Sequence, residues 1–179
     1  MNSAIKVFKS FAIVSLLVSL LPSLGFAQYV RTSLVSNQEG VAPNTDSQHV
    51  VNAWGLTQLG TRPFWVSDTG TGFSTLYTGT GQQIPLFVTI PPAPNSAAET
   101  PSMPTGTVGN ISPDPNDFTI RERGKSGKSI FMFATLDGTI SGWNPEVDGV
   151  SASGESHATI AVNRSRVSVL RVGDRTDTD

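Results

Sequence analysis

Residues that favour turns recur every few positions from residue 28 onward, which leaves little room for helices. The chain contains 17 glycines and 12 prolines, and no segment after residue 28 keeps a 3.6-residue apolar period for three turns. Short runs rich in β-branched and aromatic residues lie between these turns. The sequence therefore predicts an all-β protein.

The apolar runs form two groups on either side of a proline-rich loop, residues 91–104, which we expect to be extended or mobile. Tight turns such as Gly79-Thr80-Gly81 join the first group and indicate an antiparallel meander. In the second group, Asp137-Gly138 between apolar runs is a strong signal for a two-residue hairpin loop. The predicted strands are 29–35, 49–57, 63–67, 74–77, 85–90, 105–109, 118–120, 129–135, 139–143 and 158–162.

The two groups correspond strand by strand. WGL at Trp54 parallels PTG at Pro104, and FWVSDTGTG parallels FMFATLDG. STLY parallels TISGW, and PLFVTI parallels ATIAV. The spacing between matching residues widens along the chain, so we expect an insertion in the second group. Four-stranded units at such a period favour β-propeller blades over two unrelated hairpin sets in a β-sandwich.

Residues 1–27 have the features of a cleavable secretory signal peptide. Lys6 and Lys9 form a basic n-region, and residues 11–21 (FAIVSLLVSLL) form an apolar stretch of h-region length. Small residues at Gly25 and Ala27 predict cleavage between Ala27 and Gln28. A spanning helix needs about 20 apolar residues, roughly twice this stretch. We therefore expect a secreted or periplasmic mature protein with no membrane span, rather than an anchored one.

Charge and cysteine content narrow the function classes. Lys6 and Lys9 account for two of the 12 basic residues, so residues 28–179 carry ten basic residues against 14 acidic ones. This balance does not favour nucleic acid, which requires a clustered basic face. The chain has no cysteine, which excludes disulfides, thiol catalysis and thiolate metal sites.

Several segments carry a resemblance to a known family. They are LVSNQEGVAPNTD (34–46), VVNAWGL (50–56), PFWVSDTGTGFSTLYTGTG (63–81), PLFVTIPP (85–92) and FMFATLDGTISGWNP (131–145). Together they resemble an uncharacterised family of exported bacterial proteins named for its association with the PEP-CTERM sorting system. That family is related to NHL and gluconolactonase-like β-propellers. The resemblance implies a propeller fold and export, and it implies no reaction.

The resemblance also implies that blades are missing. Family members are about twice as long, and the resemblance implies that residues 28–163 form about two blades of a six-bladed ring. The chain shows no C-terminal Pro-Glu-Pro segment, membrane helix and basic tail, so sorting by that route is not expected. Residues 164–179 diverge from the family pattern. We interpret them as a frameshifted or truncated end, with a polar final strand and tail as the alternative.

A divalent-cation site is the main candidate for chemistry. In gluconolactonase-like propellers, Asp, Asn and Glu side chains hold a divalent ion over the central channel, and oxygen ligands suit Ca²⁺. By that resemblance the candidate ligands are Asn52, Asp68, Asp137 and Asn144. Asp68 and Asp137 are expected in matching turns. Because Asp before Gly or Thr-Gly also makes ordinary β-turns, turn formation is the favoured interpretation.

Other motifs point to structure rather than chemistry. GKSGKS (124–129) lacks the glycine and the strand-loop-helix context of a phosphate loop, so we predict a solvated loop. His49 and His157 are the only histidines, and we expect surface or edge packing for both. The three tryptophans, Trp54, Trp65 and Trp143, are expected in the core.

Three functions follow from the sequence. The preferred one is a non-enzymatic exported propeller that binds a ligand or protein partner. The alternative is a metal-dependent hydrolase of the lactonase type. The third is a non-functional fragment.

Overall fold

A computed structural model describes residues 29–166 of the protein, and every regular element in this range is a β-strand. The predicted all-β class is confirmed. The strands are β1 (Val35–Ser36), β2 (Asn44–Thr45), β3 (Ala53–Gln58), β4 (Phe64–Asp68), β5 (Phe73–Tyr77), β6 (Gln83–Thr89), β7 (Pro104–Gly109), β8 (Thr119–Glu122), β9 (Lys125–Lys128), β10 (Phe131–Thr135), β11 (Thr139–Trp143), β12 (Glu155–His157) and β13 (Thr159–Asn163).

Four consecutive strands, β3 to β6, form an antiparallel meander, as the turn spacing predicted. A fifth strand, β12, arrives from much later in the chain and pairs parallel with the outer edge of β6. We call this five-stranded assembly the first sheet. No local pattern predicted β12, which is only three residues long.

The second sheet contains β7, β10, β11 and β13, paired antiparallel in that order. These strands match β3, β4, β5 and β6 in turn, so the predicted strand-by-strand correspondence holds at the level of pairing. The expected insertion lies between β7 and β10 and contains a hairpin of β8 and β9. Its second strand includes part of GKSGKS, so the prediction of a plain loop was wrong there.

The core lies between the two sheets. Trp65 of the first sheet stacks on Phe131 of the second, with ring centroids 4.0 Å apart and planes 22° apart. Phe133 and Trp143 complete the aromatic part of this cluster. Because side chains alternate faces along a strand, Leu76 and Val88 reach the same core from the neighbouring strands of the first sheet.

Trp54 departs from the prediction. Its side chain is 60% exposed, whereas Trp65 and Trp143 are buried as expected. The indole N–H of Trp54 donates to Oδ1 of Asn52 at 3.1 Å. Strand β3 is an edge strand of the first sheet, so its side chains have a neighbouring strand on one side only.

A glycine allows the first strands of the two sheets to approach each other. A Cβ atom on Gly55 of β3 would lie 2.3 Å from the carbonyl oxygen of Thr105 and 2.8 Å from the backbone nitrogen of Thr107, both in β7. Any larger residue would push these strands apart. The two sheets therefore meet most closely at their first strands.

Other expectations need correction at the ends and in the proline-rich loop. Residues 29–34 form no strand, although a strand over 29–35 was predicted. The proline-rich loop contains buried residues, including Ala93 and Ser102, and the Ser102 hydroxyl donates to the carbonyl of Ile90 at 2.6 Å. The predicted signal peptide, the predicted cleavage site at Ala27 and Gln28, and tail residues 167–179 lie outside the described residues. Within residues 29–166, no helix is long and apolar enough to cross a membrane.

Candidate functional site

A cleft of about 710 Å³ opens beside β6 and β12 on the first sheet. Both histidines of the chain line it, together with two phenylalanines from β5 and β6 and several uncharged polar side chains. Each histidine is hydrogen-bonded to a carboxylate. We call Asp46 with His49 the first pair, and Glu122 with His157 the second pair.

The first pair sits in the segment that precedes β3. The Asp46 carboxylate accepts a hydrogen bond from the backbone N–H of His49 at 3.0 Å, which is the local turn contact that Asp favours. The same oxygen lies 2.9 Å from Nδ1 of the His49 ring. Its other oxygen accepts from the Tyr77 hydroxyl at 2.7 Å and from the Gln83 amide at 2.5 Å. Asp46 is therefore held from both sides.

These contacts set the charge of the first pair. Burial alone would raise the pKa of Asp46, but the hydrogen bonds from Tyr77 and His49 outweigh it and lower the pKa below its usual range. Burial, with the nearby Asp46, raises the pKa of the Tyr77 hydroxyl. Asp46 is therefore ionised and Tyr77 protonated at neutral pH.

Aromatic packing fixes the His49 ring. The imidazole stacks on Phe87 with centroids 4.3 Å apart and planes 22° apart. Phe73 meets it edge-on with centroids 5.8 Å apart. A ring held on one edge by a carboxylate and on one face by an aromatic side chain has little freedom to rotate.

The second pair joins two inserted segments. His157 ends β12, and its Nε2 lies 2.9 Å from Oε2 of Glu122 in the β8–β9 hairpin. The Thr159 hydroxyl donates to the same oxygen at 2.9 Å. Burial would raise the pKa of Glu122, but these two hydrogen bonds and the neighbouring histidine lower it. The carboxylate of Asp148 accepts from the backbone N–H of His157 at 3.0 Å.

A carboxylate beside one ring nitrogen decides what the other nitrogen can do. In the neutral imidazole, the N–H faces the carboxylate, so the opposite nitrogen carries a lone pair. This leaves Nε2 of His49 and Nδ1 of His157 as hydrogen-bond acceptors or bases. Both rings that line the cleft are therefore oriented by a carboxylate.

The structure does not bring the four predicted metal ligands together. Asp137 lies just before β11 and Asn144 just after it, and the five residues of β11 separate them by roughly 17 Å. The Asn144 side chain is already used, since its amide nitrogen donates to the Lys128 carbonyl and its oxygen accepts from the Glu146 N–H. These residues do not fit one Ca²⁺ ion. In residues 29–166, no group of three or more His, Cys, Asp or Glu side chains could hold a metal.

Asn52 and Asp68 are neighbours, and Asp68 has an unusual environment. The backbone N–H of Thr69 donates to the Asn52 carbonyl at 3.3 Å. Asp68 is 0% exposed; its Oδ2 accepts from the Thr75 hydroxyl at 2.7 Å, and its Oδ1 has no hydrogen-bond partner among the described residues. Burial raises its pKa to about 7.

Asp68 and Asp137 are not equivalent, contrary to the prediction. Asp68 is the last residue of β4, and the residue at the same place in β10 is Thr135. Asp137 lies two positions later, inside the turn. The Asp-Thr-Gly and Asp-Gly patterns look alike in the sequence, but the first begins inside strand β4, whereas the second lies within the turn after β10.

Sequence reasoning missed the cleft. For the first pair a signal existed, because Asp and His three residues apart can share a turn. For the second pair none existed, since Glu122 and His157 are 35 residues apart and belong to segments outside the repeated pattern. Comparisons of the chain with protein families, with curated proteins and with solved structures found no match.

Proposed function

We propose that this protein is an exported binding module of the β-propeller type and that it holds its ligand in the cleft between the two histidine pairs. The observation that carries this proposal is that both histidines, each oriented by its own carboxylate, face one cleft of about 710 Å³. A concave site with a few fixed polar groups beside apolar side chains is typical of ligand pockets.

The propeller part of the proposal rests on the sheets. Two consecutive four-stranded meanders pack face to face, and each begins with the strand nearest its neighbour, β3 in one and β7 in the other. This order is what successive blades around a common axis require. The resemblance to exported NHL-like proteins supports the same fold and supports export.

Binding is favoured over lactone hydrolysis by the placement of the predicted ligands. A hydrolase of the lactonase type needs a divalent ion to polarise the carbonyl, and Asp137 and Asn144 are too far apart to share one. The histidine pairs require no ion to keep their geometry. They present acceptors that a ligand can meet without reorganisation of the protein, which favours affinity.

A thermal-shift screen tests the binding function. The full chain is heated with millimolar neutral saccharides, amino acids, acetate or inorganic phosphate, because a ligand that binds only the folded state raises Tm by mass action. We expect at least one class to raise Tm. Glu155→Ala and Gln48→Ala, both in the cleft, should remove the rise. Glu146→Ala, an exposed residue outside the cleft, should retain it.

Two results would count against the proposal. A screen in which no class raises Tm contradicts ligand binding in this cleft. A rise that persists in both cleft variants places the ligand elsewhere. Circular dichroism of each variant separates loss of binding from loss of folding.

A further inference from the structure

The charges lining the cleft limit the class of ligand. Glu155 is the one acidic residue in the lining. Among the described residues, no lysine or arginine lines the cleft. Arg123 is the nearest cation to the second pair, at 3.9 Å from Glu122, but its side chain is 84% exposed. Anions such as phosphate are bound most strongly by donors that carry positive charge. The cleft is therefore poorly suited to an anionic ligand.

The hydrogen-bonding groups are of both kinds. Gln48 and Gln83 each carry donors and an acceptor, Glu155 carries acceptors, and a neutral histidine ring has one nitrogen that donates and one that accepts. A hydroxyl both donates and accepts. Several neighbouring hydroxyls on one ligand are therefore the groups that would use this mixture most completely.

The apolar part of the wall is a pair of aromatic rings. Phe73 and Phe87 are both half-buried and lie on the cleft side of the first sheet. Their ring planes stand at a steep angle to each other, because the His49 imidazole is nearly parallel to Phe87 and nearly perpendicular to Phe73. The imidazole already covers one face of Phe87, so the two rings form an apolar corner beside the polar groups. A ligand that fits has apolar C–H groups as well as hydroxyls.

Register gives the length of the site. Phe73 pairs with Thr89, and Thr89 pairs with His157, so these three residues form a row across β5, β6 and β12. Neighbouring strands lie about 4.8 Å apart, so the row spans about 10 Å. One sugar ring does not cover this distance, whereas two or three linked rings do.

From these observations we infer that the cleft binds an uncharged oligosaccharide of two or more sugar units. The C–H groups of the sugars would contact the corner formed by Phe73 and Phe87, and the hydroxyls would bond to Gln48, Glu155 and the two histidine rings. This inference rests on the proposed binding function and adds the ligand class.

Proton NMR of the two histidines tests the inference directly. The full chain contains only two histidines, so its imidazole C–H region has two sets of signals, assigned with His157→Gln. The probes are cellohexaose, maltohexaose and chitohexaose, with sodium phosphate and acetate as anionic comparisons. We expect one neutral oligosaccharide to shift both histidine signals saturably, while the matching monosaccharide binds more weakly.

Matched variants sharpen the test. Glu155→Ala should weaken that binding about tenfold, the effect of losing a hydrogen bond to a charged group. Glu146→Ala should leave it unchanged, and Glu155→Gln should lie between the two. The proton spectrum of each variant reports whether it is folded.

The outcomes separate the two proposals. Histidine shifts caused by phosphate or acetate alone, and lost in Glu155→Ala or Gln48→Ala, would overturn the saccharide inference and leave the binding function standing. Shifts with a neutral oligosaccharide that are equal in the Glu155 and Glu146 variants would place the sugar outside the cleft and overturn the inference. No shift with any probe, together with no rise in Tm, would overturn both.

Discussion

The two sheets are built on the same four-strand order but differ in what has been added to them. On its side away from the core, the first sheet is contacted by the segment that carries Asp46 and His49, and its edge is extended by β12. The second sheet receives the β8–β9 hairpin at one end of its far side, where Ile120 lies against Gly142. Elsewhere that side leaves Val108 and Ile140 exposed.

The additions, and not the repeated strands, provide the histidine pairs of the cleft. Asp46 and His49 precede β3, Glu122 lies in the inserted hairpin, and His157 lies in β12. None of the four belongs to a strand that has a counterpart in the other sheet. The repeat therefore acts as a scaffold, and the segments outside it carry both histidine pairs, while β6 adds Gln83 and Thr89 to the lining.

The largest effect is expected where the two sheets depend on each other. Phe133 is fully buried between them, so Phe133→Ala should lower the free energy of unfolding by about 3–5 kcal/mol. Urea unfolding followed by tryptophan fluorescence and by circular dichroism should remain a single transition. Met132→Ala, on the opposite face of the same strand, should lower the free energy of unfolding by less than Phe133→Ala does. Separate transitions for the two probes would mean that the sheets unfold independently.

The matching positions Asp68 and Thr135 give the second test. The pKa of Asp68 is raised from 3.8 to about 7, so between these values the folded state keeps a proton that the unfolded chain releases. Its stability therefore falls as pH rises through this window. Asp68→Asn removes the titration, so its stability relative to wild type should increase by about 3–4 kcal/mol between pH 4 and pH 8. Thr135, at the matching position of the second sheet, has no ionisable group and therefore adds no pH dependence to the free energy of unfolding.

Asp114→Asn, at an exposed position, is the matched control, because it also replaces one carboxylate by an amide. The same Asp68 variant also tests the calcium prediction. If millimolar Ca²⁺ raised the Tm of wild type and Asp68→Asn abolished the rise, Asp68 would be a metal ligand and the geometric argument against the site would be wrong.

The third test compares the two histidine pairs. In the first pair the Asp46 and His49 side chains are 7% and 22% exposed, and in the second pair Glu122 and His157 are 24% and 38% exposed. Asp46→Asn should therefore lower the free energy of unfolding by about 2 kcal/mol, and Glu122→Gln should lower it by less than about 1 kcal/mol. Denaturant unfolding at pH 7 measures both, and equal costs would contradict the difference in burial.

The pH dependence of the third test has a definite sign. The pKa of Asp46 is lowered in the folded state. The contribution of its carboxylate to the free energy of unfolding is therefore present above pH 3.8, and it is lost as pH falls through the pKa of the folded state. The difference between wild type and Asp46→Asn should therefore shrink in acid. A cost that stayed constant down to pH 2 would indicate that the variant acts through packing and not through charge.

The sequence predicted what local pattern controls. Strands such as Thr139–Trp143 were predictable because alternation and flanking turn residues are local signals. The cleft was not, because β12 joins β6 and Glu122 meets His157 through pairings between distant segments. The metal set failed for a related reason. Asp68 and Asp137 look alike beside their Gly and Thr neighbours, but Asp68 ends strand β4, whereas Asp137 lies inside the turn after β10.

The smallest expected effect compares the turns that end β4 and β10. The loop after β10 has three residues, 136–138, and not the two that Asp137-Gly138 predicted, but Gly138 still has a φ of +81°. A β-branched residue is strained at such a φ, so Gly138→Val should lower the free energy of unfolding by about 1 kcal/mol or slightly more.

Gly72, with a φ of +78°, ends the turn after β4. A Cβ there would lie 3.1 Å from Pro101, so Gly72→Val should cost more. Gly106→Ala is the control, because its Cβ would meet only Ala134 at 3.8 Å, and it should change stability by less than about 0.5 kcal/mol. Urea midpoints measure all three, and a Gly138→Val midpoint equal to that of Gly106→Ala would show that the second sheet does not depend on its turn as the first one does.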